Sequence, residues 1–134
     1  MRRSMLHGAV AVGLAAGLAI STGAWAQAPW VAPAAEKARK NPVPHGKKAE
    51  EQGEKVAKVN CISCHGAKGK GDGAAAAALN PKPADWTSKK VQDETDGELF
   101  WKISSGRGAM PPWKHLPEND RWAVVHFIRS LKGK

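Results

Sequence analysis

Hydrophobic positions recur at helical spacing in three stretches of the chain. Near the C-terminal end, Val124, Phe127, Ile128 and Leu131 form one apolar stripe, which Trp122 and Val125 widen. This pattern predicts a helix over 117–132. Pro117 suits its start, Glu118 and Asp120 put negative charge in its first turn, and Arg129, Lys132 and Lys134 put positive charge at the other end. A second helix is predicted over 97–105, with Leu99, Phe100 and Ile103 on its apolar side. Thr95 or Asp96 is placed to cap its start, and Gly106 suits its end. A third is predicted over 47–60. Gly53, Val56, Ala57 and Asn60 share one side, while Glu50, Glu51 and Glu54 mix with Lys47, Lys48, Lys55 and Lys58 on the rest. Glycine inside a helix costs about 1 kcal/mol relative to alanine. Gly53 is therefore either tolerated on a surface helix or required by the close approach of another helix.

The intervening segments read as loops. Residues 27–46 are rich in Ala and Pro and form a lead-in segment, with a short helix over 34–40 that Pro42 stops. One helical turn is expected over 74–79, ended at Asn80-Pro81. Residues 81–86 form an extended segment fixed by Pro81 and Pro83. Ahead of all this, residues 1–26 have the form of a secretory signal. Arg2 and Arg3 supply positive charge, Ala9 to Ile20 are small and apolar, and Ala24-Trp25-Ala26 is an A-x-A cleavage site. The alternative is an uncleaved membrane anchor, because no charged residue occurs between Arg3 and Glu36. The organisation expected is a signal peptide over 1–26, the lead-in over 27–46 and one domain over 47–134.

The chemistry lies in Cys61-Ile62-Ser63-Cys64-His65, the C-x-x-C-H pattern of a c-type haem attachment site. Positions three apart on one helical turn point the same way. Both thiols can therefore face one porphyrin edge and add to its vinyl groups, while the next residue, His65, is carried under the ring to bind iron. The remaining ring nitrogen then needs an acceptor. A thioredoxin-like reading would need a βαβ pattern, and none is visible. A structural zinc site wants four ligands, and these are the only two cysteines. A disulfide would leave His65 unexplained. Met110 is the second candidate ligand. Its thioether is a soft donor for haem iron, and a Met/His pair raises the reduction potential. Pro111 and Pro112 stiffen the backbone beside it. The alternatives are a core methionine at 110, or His115 or His126 on the iron. His126 falls mid-helix, in an exposed or supporting position, and His45 is expected to be exposed.

From about Glu50 onward the sequence resembles the bacterial class I c-type cytochromes, which carry one haem held by His and Met. Cys61, Cys64 and His65 match the family's haem-binding residues. Gly66, Gly69, Gly71 and Gly73 match its glycine-rich continuation, and Gly108-Ala109-Met110-Pro111-Pro112-Trp113 matches its methionine loop. The resemblance implies a small all-α domain in which the first and last helices cross, with Phe127 against Gly53, a middle helix beside them and the haem at the centre. It implies one covalent haem c, attached through Cys61 and Cys64, with His65 and Met110 as the iron ligands. It also implies that a proline carbonyl, of Pro81 or Pro83, accepts the hydrogen bond of the axial histidine. Trp86, Trp101 and Trp113 could wall the cofactor, and Arg107 reads as a propionate partner or a surface charge.

Composition narrows the function. A chain of 134 residues holds one small domain, and at that size apolar burial alone gives a marginal core, which a covalent haem would reinforce. The formal charge is +9, which suits redox protein partners with acidic docking surfaces or anionic lipid headgroups. Lys68, Lys70, Lys82, Lys89, Lys90, Lys102 and Lys114 lie in segments expected to flank the haem. Export argues against nucleic acid, and a membrane contact follows only if the N-terminal segment is not cleaved. The function expected is one-electron transport in the periplasm, without catalysis, since two axial ligands leave no open site. The alternatives are a cytochrome c subunit bound to a periplasmic dehydrogenase or terminal oxidase, and a haem sensor or peroxidase with a labile methionine.

Overall fold

The computed structural model describes residues 29–134, so the signal segment expected over 1–26 lies outside the described residues. Among the described residues there are six α-helices, one 3-10 turn at Ala76–Ala78 and no strand. The helices are α1 (Ala34–Lys37), α2 (Lys47–Asn60), α3 (Ile62–His65), α4 (Lys89–Gln92), α5 (Asp96–Ser105) and α6 (Glu118–Ser130). The all-α expectation holds, and α2 has the bounds that its periodicity predicts. The short α4 was not anticipated; Ser88 caps it by accepting a hydrogen bond from the Val91 amide. None of these helices is long and apolar enough to cross a membrane.

The frame is the crossing of α2 and α6 at Gly53. A Cβ built on Gly53 would overlap the Ala123 carbonyl and lie 2.9 Å from Phe127 Cβ. The close-approach explanation for this glycine is therefore the correct one, and Phe127 is at the crossing as the resemblance implied. Ala123, whose backbone makes the tightest contact, was not singled out by the periodicity. α5 packs on a second side of α6, where Phe100 stacks on Trp122 with ring centres 3.9 Å apart.

The N-terminal segment takes the third side. Asn41 Nδ2 donates to the Trp122 carbonyl at 3.1 Å, and Arg39 lies over the Phe100 and Trp122 rings. Consequently every residue from Arg121 to Ile128 is buried, well beyond the apolar stripe. This corrects the exposed reading of His126. It is 5% exposed, and its Nε2 donates to the Val43 carbonyl at 2.7 Å. A buried imidazole needs such a partner. His45 is exposed as expected, with its Nε2 3.2 Å from Glu50.

The ends of α5 and α6 are tied by hydrogen bonds to charged groups. Thr95 and Glu98 form a capping box at the start of α5. Burial pulls the Glu98 carboxyl upward, but the Thr95 amide and the Lys37 ammonium, 3.0 Å away, outweigh it and hold the group below the usual carboxylate range. Arg129 reaches from α6 to the Asp96 carboxylate at 2.8 Å and to the carbonyls of Gln92 and Glu94. The carbonyls left open where α4 ends thereby find donors.

Replacing Gly53 by alanine should destabilise the fold. The gain in helix propensity, about 1 kcal/mol, is outweighed by forcing the two backbones apart, for a net loss of about 2 kcal/mol. A urea midpoint that falls at unchanged slope would report it; an unchanged midpoint would mean the crossing yields without cost.

Candidate functional site

The Cys61–His65 stretch begins where α2 ends. Cys61 closes α2 and opens α3: its amide donates to the Ala57 carbonyl at 2.8 Å, and its own carbonyl accepts from Cys64 and His65 at 3.1 and 2.9 Å. Cys61 and Cys64 thus belong to one turn, both half-buried and both unpaired thiols. Burial pushes the Cys61 thiol up to about 11, with Cys64 adding to the rise, so the group stays protonated near neutrality.

After His65 the chain folds back over the turn it has just made. The amides of Ala75, Gly73 and Gly71 donate to the carbonyls of Ser63, Cys64 and His65 at 2.9, 3.1 and 2.8 Å. The last carbonyls of α3 are therefore all satisfied. The glycines make this return possible, but what they clear is protein. A Cβ on Gly71, at φ +72°, would lie 2.5 Å from the Pro83 carbonyl oxygen, and one on Gly69 would lie 2.8 Å from the Trp86 ring. The loop is thus packed on its own continuation.

That packing sets the histidine. His65 is 8% exposed, and its Nδ1 lies 3.0 Å from the Ala84 carbonyl. The resemblance pointed to Pro81 or Pro83, and both are wrong by a short register step. Carbonyls alternate in direction along an extended segment; that of Pro83 faces Gly71, and the next one turns to the imidazole. Trp86 is buried and stacks on the same imidazole, with centres 4.4 Å apart and planes 20° apart. Its other neighbour is Phe127, met edge-on at 6.2 Å. Trp86 is therefore a core aromatic that backs His65. Asp85 braces the segment: its Oδ1 accepts from the Thr87 hydroxyl and amide at 2.7 and 2.8 Å, and these bonds hold its carboxyl below the usual range. Burial lowers the His65 value, against the opposing Ala84 bond, so the ring is neutral near pH 7. With Nδ1–H donated to Ala84, the lone pair is left on Nε2, the tautomer that ligates a metal.

Met110 sits on a tight turn after α5. The amides and carbonyls of Arg107 and Met110 pair at 2.8 and 3.0 Å, and the Trp113 amide returns to the Ile103 carbonyl at 3.1 Å. Met110, Trp113 and Cys61 are half-buried and pack against the same apolar core. Trp101, in contrast, meets Trp30 of the N-terminal segment at 6.3 Å. His115 is exposed beside Trp113. Of the lysines expected around the site, Lys68, Lys70, Lys82, Lys89, Lys90 and Lys114 are exposed. Lys102 is half-buried and paired with Glu94, so it is not available to steer a partner.

A family model described as cytochrome c oxidase, cbb3-type, subunit III matches residues 48–128. Among solved structures, a chain of the reducing HAO-like protein complex of Kuenenia stuttgartiensis superposes with a TM-score of 0.60 at 27% identity. The match covers 68% of this chain and 47% of that one, so this chain spans about half the length of its structural neighbour. No curated protein sequence matches.

Gly71→Ala should lower stability by about 2 kcal/mol, from the left-handed backbone and the lost clearance to Pro83 together. It should also speed hydrogen exchange at the Trp86 amide, which donates to the Gly69 carbonyl at 2.7 Å. Unchanged exchange there would mean that the 81–86 segment is held by other contacts.

Proposed function

The chain belongs to the cytochrome c family of the cbb3-type subunit III model, whose domain performs haem-based electron transfer, and from that premise we propose that it is a periplasmic one-electron carrier built on a single haem c. The observation that carries the reading is the placement of His65: buried, with Nδ1 committed to Ala84 and Nε2 left to bind. The residues fit the group. Cys61 and Cys64 are free thiols on one turn beside that imidazole and would hold the porphyrin covalently. Met110, on its paired turn at the edge of the core, would be the second protein ligand to its iron. A bound haem c would supply a one-electron couple between ferric and ferrous iron. The chain holds the imidazole in one tautomer and orientation and keeps the surroundings apolar, and both limit what changes when an electron moves. With His65 and Met110 both bound, no position is left for a substrate, which favours a carrier over an enzyme.

A second reading is a subunit of a larger redox complex. It is favoured by the structural neighbour, itself a component of a complex. Export after cleavage at Ala26 is common to both readings, and cytochrome c domains of this kind work outside the cytoplasm.

The optical spectrum of the exported protein tests the proposal, with a pyridine haemochrome assay beside it. The expected outcome is one c-type haem per chain and, in the ferric form, the weak long-wavelength band of methionine sulfur on iron. Met110→Ala should abolish that band and open the reduced form to carbon monoxide. A Cys61→Ala, Cys64→Ala double variant should lose covalent haem. A c-type haem without the methionine band in the wild type would remove Met110 from the iron.

The exposed lysines Lys68, Lys70 and Lys82 support an acidic docking partner. Association with an acidic redox protein, followed by stopped flow, should slow by about tenfold or more between roughly 0.01 and 0.15 M ionic strength. A rate that ignores salt would sink the electrostatic part of the proposal.

A further inference from the structure

We propose that Trp30 is a positioning residue for Met110: the N-terminal arm brings its indole beside the Arg107 guanidinium, at the start of the turn that carries the methionine, and resists the opening of that turn. The inference rests on Met110 as an iron ligand and goes beyond it, to what decides how firmly the ligand is held.

The arm is pinned along its length. Ala32 is 3% exposed. Thr95 Oγ1 donates to the Lys37 carbonyl at 2.9 Å, Lys37 pairs with Glu98 at 3.0 Å and Arg39 pairs with Glu118 at 2.7 Å. Asn41 and Val43 are bound to α6 through Trp122 and His126. Trp30 lies two residues ahead of the buried Ala32, and two residues of chain reach about 7 Å at most. The indole is therefore kept close to the docked part of the arm.

That place joins α5 to the methionine turn. The Trp30 ring is 6.3 Å from Trp101, 5.4 Å from Lys102 Nζ and 6.0 Å from the Arg107 guanidinium. Trp101 and Lys102 belong to α5, whereas Arg107 is the residue whose backbone pairs with Met110. On the outer side of the turn Gly108, Ala109, Pro111 and Pro112 are exposed. A cation over an indole face and a tilted aromatic pair are both attractive. Together they couple a firmly docked arm to the turn in which Arg107 pairs with Met110. Iron–thioether bonds are weak, so a small change in the cost of opening the turn changes how readily another ligand displaces the sulfur.

The test uses the haem-loaded protein, with imidazole as the displacing probe. Trp30→Ala should raise the affinity of the ferric form for imidazole by about tenfold. It should also speed hydrogen exchange at the Met110 and Arg107 amides by a similar factor, while the core amides of α6 keep their rates. Trp30→Phe retains a ring face for the cations and should recover most of both effects. Gln52→Ala removes the 3.0 Å bond to Asp120 between α2 and α6, away from the turn, and should leave imidazole affinity unchanged. Equal affinity and exchange in wild type and Trp30→Ala would overturn the proposal. So would an increase that Gln52→Ala reproduces, because the effect would then be general loosening. If the ferric wild type lacks the methionine–sulfur band, the Met110 reading fails by itself, and exchange at Met110 and Arg107 decides whether Trp30 holds the turn.

Discussion

At Gly53 two helix backbones touch with no side chain between them, and the position of the imidazole follows from that contact. Because α6 comes this close, Phe127 enters beside the crossing and presents its ring to the edge of Trp86. Trp86 in turn lies flat against His65, whose other hold is the Ala84 carbonyl two residues before that tryptophan. A continuous line of packed atoms therefore runs from the helix crossing to the His65 imidazole. Close-packed interiors yield little, so a shift at Gly53 would be felt at His65. This is why glycine stands where alanine would make the better helix.

The second organising feature is the burial of α6 on every side. A helix with a single apolar stripe could not bear this, since Arg121, His126 and the backbone carbonyls would lose water without return. Each is answered. Arg121 donates to the Leu116 carbonyl and the Ser104 hydroxyl and lies over the Phe100 ring. His126 donates to Val43, and the Trp122 carbonyl accepts from Asn41. The partners come from α5, from the turn before α6 and from the N-terminal segment. Residues 32–43 thus work as part of the packed structure, supplying the polar counterparts that let α6 sit at the centre.

What could be read from the residues alone follows the same division. Periodic apolar positions and capping chemistry are local, so α2, α5 and α6, the Thr95 cap and the Gly106 end were all legible within a residue or two. The attachment motif was legible because its spacing is its chemistry. Register across a non-local contact was not. Whether Pro81, Pro83 or Ala84 turns its carbonyl to His65 depends on where Gly71 meets the extended segment, and no spacing encodes that. His126 reads as a polar interruption of a helix, and only the docking of Val43 makes it interior. Lys102 looked like one more surface lysine until Glu94 was brought beside it by the turn between α4 and α5. The Ala/Pro-rich composition of residues 27–46 hid anchors that act singly, Ala32, Arg39 and Asn41, at spacings without a period.

The two proposed axial sides are built with unequal redundancy. His65 is fixed by burial, by a hydrogen bond at Nδ1, by a stacked indole and by a short helix whose last three carbonyls are all satisfied. Loss of any one leaves three. Met110 sits half-buried at the edge of the core on a turn with two backbone hydrogen bonds to Arg107, a return bond at Trp113 and two prolines, and much of the turn's outer surface is exposed. Imidazole is also the stronger donor and thioether the weaker. Ligand chemistry and scaffold point in one direction. With haem bound as proposed, the methionine side would be the first to yield to another ligand, and the contacts around that turn would govern how often it does.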